Sequence, residues 1–285
     1  MSLSLPNRQE EKLCKGNGKI MKKTGASEPT RKEPDHMLSE YKFDYSKARV
    51  NRFAGKTGAL MAEIFDDWPE KYDRWFETPI GALVREYESR LLLGMARLGR
   101  GERVLDVGCG TGVFTMDFLA TGANVTGLEL SLPMLRRASD KAGGAPFTPV
   151  RGDMRHLPFC ENCFDRTVSV TAIEFIEDAG PAVAELFRVT RPGGLIVVAS
   201  LNSLSPWAVR RREAAKKSHE IFAHARFRSP AEMAALAPCP ALTMTAIHFQ
   251  KQDDPERAKE LEARGNALGL DTGAFLVARW EKPAG

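Results

Sequence analysis

The chain has 285 residues, 43% of them hydrophobic and 27% charged, with a formal net charge of +4. That length buries a sizeable core, and the small charge excess gives no argument for nucleic acid. No stretch approaches the ~20 apolar residues of a membrane helix, and the opening MSLSLPNRQEEKLCKGNGK lacks the apolar run of a secretory leader. Five cysteines are too few for a disulfide scaffold and odd in number, so a reducing, cytoplasmic setting is expected.

Residues 1–37 are rich in Lys, Glu, Pro, Gly, Ser and Thr and read as a disordered, solvated tail. Residues 38–100 read as N-terminal helices. TGALMAEIFDDWPEKYDRWF places Leu60, Ile64, Phe65 and Trp68 at helical spacing, with Pro69 expected to end the helix. A second helix is predicted from Pro79 to Leu98, with Leu83, Val84, Tyr87, Leu91 and Leu92 along one face and Gly99 and Gly101 closing it.

From residue 101 to the end, strand-like runs alternate with helical stretches. RVLDVG leads through a glycine turn into a helix over Met116 to Ala120. ANVTGLEL precedes a helix from Pro133 to about Lys141. FTPVRGD is a short third strand. DRTVSVTA precedes the helix AGPAVAELFRVT, and GLIVVAS follows the turn Arg191-Pro192-Gly193-Gly194. A basic helical region spans about 206–225, and Ser229 with Pro230 starts another helix. LTMTAIHFQ and GAFLVARWE, on either side of the charged stretch 253–264, complete the strands. This pattern specifies a doubly wound, mostly parallel α/β sheet of seven strands, Rossmann-like, with an N-terminal helical lid and a substrate insertion at about 202–228. Cys160 and Cys163 read as two small residues in a loop before a strand, because one pair supplies two ligands where a structural zinc site needs four.

The glycine turn Gly108-Cys109-Gly110-Thr111-Gly112 points to a ligand lying against the backbone at a helix N-terminus. Asp106, at the end of the strand before it, suits the ammonium of an amino-acid moiety. The dinucleotide fingerprint G-x-G-x-x-G would need its third glycine at position 113, which is Val113, so an NAD site fits poorly. Glu129, at the end of the second strand, suits a pair of ribose hydroxyls. Asp153 and Met154 suit an adenine, and the fourth strand delivers Thr171 to Phe175 to the same edge.

The segments LDVGCGTG, LELSLPML, GDMRHLPF, CFDRTVSV and ELFRVTRPGG resemble the class I S-adenosylmethionine (SAM)-dependent methyltransferases of type 11, relatives of the ubiquinone-biosynthesis methyltransferases, from about Arg103 to Ser200. The resemblance implies SAM contacts at Asp106, Gly108, Gly110, Glu129, Leu130, Asp153, Met154 and Thr171, with Cys109, Gly112 and Met134 in the same site. YDRWFETPIG resembles the amino-terminal lid of some small members, which would lay Tyr72 and Trp75 over the methyl donor. Glu174 stands where many relatives place a histidine.

Methyl transfer from a sulfonium is mainly alignment and exclusion of water; a base is needed only if the acceptor must lose a proton. Glu174, His156, Tyr72, His219 and His224 are candidates for that base, and Tyr72 and Glu174 are expected near the methyl. Trp75, Phe175 and Trp207 are expected to meet the substrate. In the insertion, Trp207 and Phe222 lie among Arg210, Arg211, Arg212, Lys216 and Lys217. That composition fits a lid for an anionic small molecule, an RNA-facing patch, or a solvated amphipathic helix, the plainest of the three. The expected function is methyl transfer to a small molecule. The alternatives are an RNA or protein methyltransferase and a SAM-binding protein without catalysis. No oligomeric state follows from the sequence.

Overall fold

The computed structural model describes residues 65–215, 222 and 224–284. They belong to the unit that runs from Arg49 to Gly285. The expected tail, Leu60, Ile64, Lys216, Lys217 and His219 lie outside the described residues.

Two helices come first, α1 (Pro69–Phe76) and α2 (Pro79–Ala96). Ahead of them, Phe65 and Asp66 are helical and that helix ends before Pro69, as expected; Pro69 also begins the next helix. Its missing N–H is one of the donors a first turn leaves unpaired in any case, so proline fits there. The chain leaves α2 through Arg97, whose left-handed φ of 50° makes the turn expected of Gly99 or Gly101.

The alternating region then unfolds in order: β1 (Arg103–Val107), α3 (Thr115–Ala120), β2 (Asn124–Glu129), α4 (Leu132–Ala142), β3 (Phe147–Arg151), β4 (Phe164–Val170), α5 (Gly180–Val189) and β5 (Thr190–Leu201). After it come α6 (Pro206–Ala215), α7 (Pro230–Ala234), β6 (Leu242–Ala246), α8 (Pro255–Ala267) and β7 (Phe275–Glu281). The charged stretch between the last two strands thus contains a helix. Asp254 caps α8 by accepting from the N–H groups of Glu256 and Arg257, and Pro255 sits in its first turn. Ser229 starts α7 with a reciprocal capping box to Glu232.

The strands form one seven-stranded sheet in the order β3-β2-β1-β4-β5-β7-β6. β7 runs antiparallel to both its neighbours, and the other pairings are parallel. The order reverses between β1 and β4, and ligands of such sheets bind at the carboxyl ends beside that switch point. The class I methyltransferase architecture expected from the sequence is the one present.

Alternation within β1 shows how the two faces are built. Val104 packs with α2 and α3, through Leu92, Met95 and Phe118. Leu105 and Val107 pack on the other face with Leu186 of α5 and Met233 of α7. Asp106 has the parity of Val104, so its carboxylate is directed to the α3 side. β5 is buried from Leu195 to Leu201 without interruption, as a strand covered on both faces must be.

Cys160 and Cys163 lie in the loop before β4, as expected, but they are joined rather than merely small fillers. Asn162 takes a left-handed φ of 59°, which folds the loop before β4 back on itself. The Cα atoms come to 5.8 Å and the sulfurs pair as a disulfide.

Gly112 has φ +78°, and a Cβ there would stand 3.0 Å from the Cα and Cβ of Ala138 on α4. Gly112→Ala combines left-handed strain with that contact, so a stability loss of more than about 1 kcal/mol is expected in denaturant melts. An unchanged midpoint would show that the turn has room to spare.

Candidate functional site

A cavity of about 930 Å³ opens at the carboxyl ends of β1, β2 and β4 and continues under α1 and α6. Of the predicted site residues, only Gly112 stays off its wall; its lack of a side chain serves the close approach of α4. Tyr72, Trp75, Asp106, Gly108, Cys109, Gly110, Glu129, Leu130, Met134, Asp153, Met154, Thr171, Glu174, Phe175 and Trp207 all line it. Among the candidate bases, His156 and His224 are exposed and off the wall.

The end at the glycine turn is acidic and rich in N–H donors. Asp106 is 1% exposed. Its Oδ2 accepts from the Thr115 hydroxyl at 2.6 Å, while Oδ1 has no partner. Burial, with the nearby Glu129 charge adding to it, lifts this carboxyl to about 7. A buried acceptor without a donor is costly, and a ligand ammonium would relieve that cost. Gly108 takes φ +75°, and a Cβ there would stand 2.5 Å from Ala172. Gly110 also has a positive φ, and a Cβ there would meet nothing within 4 Å, since it faces the open cavity. These features fit the amino-acid end of SAM.

Glu129 is already engaged by the backbone. Its Oε2 accepts from Gly110 N at 3.0 Å, and Oε1 accepts from Leu130 N at 2.8 Å and Ser131 N at 2.9 Å. The carboxylate therefore shapes the glycine turn and retains lone pairs toward the cavity. Burial raises its pKa despite the three donors. Asp153 is 4% exposed and is held by Arg155 through a salt bridge of 2.6 Å and by the Arg155 N–H at 2.9 Å. Much of its accepting capacity is thus spent within the loop. Thr171, at the end of β4, has a left-handed φ of 46°, an unusual conformation for a β-branched residue and one that concentrates at functional sites.

The other end is aromatic. Trp75 meets Trp207 edge-on with centroids 6.3 Å apart, and the Trp207 indole N–H donates to the Phe249 carbonyl at 2.6 Å. Phe65 meets Phe175 at 4.9 Å. The Tyr72 hydroxyl lies beside Thr171, and burial holds it well above the ordinary phenol range, so it is a proton donor rather than a base. α1 is clamped in place by Asp73, which accepts from Thr111 and Lys141 at 2.7 Å and from Arg137 at 3.0 Å.

Two residues of this end escaped the sequence-based reading of the site. Glu88 lies on α2 between Val84 and Leu92, one turn from each, so a carboxylate on the apolar stripe was its signal. It is 8% exposed and lines the cavity. Arg211 was visible as one of several basic residues in the insertion, but nothing in the sequence set it apart from Arg210 and Arg212. Burial lifts Glu88 to about 8 and Glu174 to about 7, the cations nearby opposing the shift. The Ser200 hydroxyl donates to Glu174 Oε2 at 3.3 Å, and Glu174 Oε1 has no partner.

These shifts have a consequence for stability. A carboxyl more basic in the fold than its ordinary 4.5 binds its proton more tightly when folded. The burial of Glu88 therefore carries no charge penalty at low pH. It costs increasing stability as the pH rises from the ordinary value through about 8. Glu88→Gln should gain in melting temperature relative to the parent between about pH 5 and about pH 8.5. A difference independent of pH would show that Glu88 does not titrate in the fold.

Known proteins resemble this chain over part of its length. Residues 105–198 match the methyltransferase domain family of type 11. Over 141 residues the chain is 34% identical to a malonyl-[acyl-carrier protein] O-methyltransferase of Pectobacterium atrosepticum, covering 50% of this chain and 53% of that one. Over 148 residues it is 34% identical to a demethylmenaquinone methyltransferase of Thermobifida fusca, covering 50% and 62%. The match thus spans little more than half the length of these curated relatives. A crystal structure from Thermotoga maritima, described as a SAM-dependent methyltransferase and possible histamine N-methyltransferase, aligns with a TM-score of 0.58 at 23% identity, covering 77% of this chain and 99% of that chain. At that identity the likeness speaks to the fold.

Proposed function

Since the chain carries a class I SAM-dependent methyltransferase domain of the type 11 family, we propose that it transfers a methyl group from SAM to a small-molecule acceptor by in-line displacement. The observation that carries this reading is the single continuous cavity. It joins a strand-end carboxylate with a bare oxygen, Asp106 Oδ1, to an aromatic chamber under α1.

When bound, SAM would supply an activated methyl on a sulfonium, to which an acceptor lone pair would bond as the carbon–sulfur bond breaks and S-adenosylhomocysteine leaves. The residues divide the remaining work. Asp106 would hold the ammonium, and Gly108 and Gly110 would let the amino-acid end lie against the turn. Glu129 would add the ribose hydroxyls to its three N–H partners. Leu130, Met134 and Met154 would pack the apolar parts of the nucleoside, and Asp153, shared with Arg155, would take its adenine edge. Tyr72, Trp75, Phe175 and Trp207 would exclude water from the reacting atoms. Glu174 Oε1, unpartnered and with a pKa of about 7, is placed to take a proton from an acceptor that must lose one.

The curated relatives are named for two different acceptors, a carrier-bound malonyl group and demethylmenaquinone. Both names support methyl transfer, and their divergence leaves the acceptor to be read from the chamber itself. No described helix is long and apolar enough to cross a membrane.

Calorimetry with S-adenosylhomocysteine and with NAD tests the reading, because tighter binding of NAD would end it. Glu129→Ala should weaken S-adenosylhomocysteine binding tenfold to a thousandfold, on the order of one or two charge-assisted hydrogen bonds of about 1.5–3 kcal/mol each. The variant should also melt earlier without ligand, since three backbone N–H groups lose their acceptor. An unchanged dissociation constant would leave Glu129 with its role in the turn alone.

A further inference from the structure

One enclosed charge of the chamber has no way of disappearing. Arg211, on α6, points its guanidinium into the cavity wall between two rings, 5.2 Å from the centroid of Trp207 and 5.5 Å from that of Phe222. Its Nη1 is buried and makes no hydrogen bond. No carboxylate among the described residues comes within salt-bridge distance of it.

We propose that Arg211 anchors a subsite for an oxyanion, a carboxylate or phosphate carried on an apolar body, and that this group belongs to the methyl acceptor. The assignment to the acceptor rests on the methyl-transfer reading; the subsite itself does not.

Three observations lead there. The carboxylic groups closest in influence, Glu88 and Glu174, can shed their charge by taking a proton, and burial drives both that way. Arg211 cannot follow, since even after burial it remains a cation at neutral pH. The persistent charge around Arg211 is therefore positive, with no carboxylate paired to it among the described residues, which is costly unless a ligand pairs it. The surroundings also suit an anion with an apolar body. Arg210 lies 4.7 Å over Trp207 and Lys251 lies 4.8 Å over Trp75, both on the cavity wall. The same rings offer flat apolar surface to the rest of the molecule. Finally, a guanidinium lying over two aromatic rings has part of its freedom restricted before a ligand arrives. A planar carboxylate or a phosphate can then meet its fork with less further ordering cost. An amine acceptor would ask for the opposite arrangement, with persistent carboxylate charge and no unpaired arginine.

The test uses three probes with the same phenylethyl body: 3-phenylpropionate, 2-phenylethylphosphonate (standing in for a phosphate) and the neutral 3-phenylpropionamide. Their binding is followed through the tryptophan fluorescence of the full chain, with and without S-adenosylhomocysteine. At least one oxyanion probe should bind about tenfold or more tightly than the amide, and the tighter of the two identifies carboxylate or phosphate as the source. Arg211→Gln should reduce the preference over the amide to about threefold or less while leaving S-adenosylhomocysteine affinity unchanged. If Arg211→Gln does not fold, Arg211→Lys decides the matter. It keeps a charge but loses the fork, so a loss of about threefold or more in oxyanion affinity supports the subsite, and no loss overturns it. Equal binding of the amide, no binding of any probe, or a preference that survives Arg211→Gln would each overturn it too. Failure of S-adenosylhomocysteine to bind would instead strike the methyl-transfer reading, while the probe preference of the ligand-free protein would still decide the subsite.

Discussion

The arrangement turns on the Asp106 carboxylate, buried at the end of β1 with one oxygen tied to Thr115 and the other facing the cavity without a donor. A fold does not normally leave such an atom bare, because the desolvation it suffers is returned only by a partner. Its position follows from strand geometry. Val104 and Asp106 share the face toward α3, and Leu105 and Val107 fill the other, so the core that fixes the strand also fixes the carboxylate. The glycine turn after β1 is shaped around this point, and Glu129 holds the turn in place from the neighbouring strand by accepting from Gly110 N.

Beyond that edge the cavity changes character, from a polar end made by strand termini to an aromatic end made by helices. Neither part suffices alone. The strand-end carboxylates and the glycine turn define a nucleotide-like ligand but leave space for a second molecule. The chamber under α1 and α6 has rings, two carboxyl groups that burial makes weakly acidic, and a guanidinium, but nothing to hold a methyl donor. The clamp of Asp73 onto Thr111, Lys141 and Arg137 joins the two. It fastens the helix bearing Tyr72 and Trp75 to the glycine turn and to α4.

Much of this was legible in the sequence, for identifiable reasons. Buried parallel strands give continuous apolar runs, and residues at their carboxyl ends must face the ligand edge, which made Asp106, Glu129 and Thr171 readable from position alone. Helix starts were readable where a capping side chain precedes a proline, as at Ser229. Pro69 was read only in part, because a proline that follows the end of one helix can also begin the next. Gly112 lies off the cavity wall, and a glycine freed for packing against Ala138 looks the same in sequence as one freed for a ligand. The Cys160–Cys163 pairing depends on the left-handed turn at Asn162, a local conformation that residue spacing does not specify. Glu88 and Arg211 were obscured by the most general limit: charge on a helix is normally solvated, and only the assembled tertiary structure shows which charges have been enclosed.

The central claim is that the bare oxygen of Asp106 and the engaged carboxylate of Glu129 mark where the amino-acid and ribose parts of one bound SAM would lie. A crystal structure of the complex with S-adenosylhomocysteine tests it most directly. The account predicts the ligand ammonium within about 3.2 Å of Asp106 Oδ1, the ribose hydroxyls at Glu129 and the sulfur turned toward Tyr72 and the aromatic chamber. A ligand bound elsewhere, or one that leaves Asp106 Oδ1 without a partner, would contradict it.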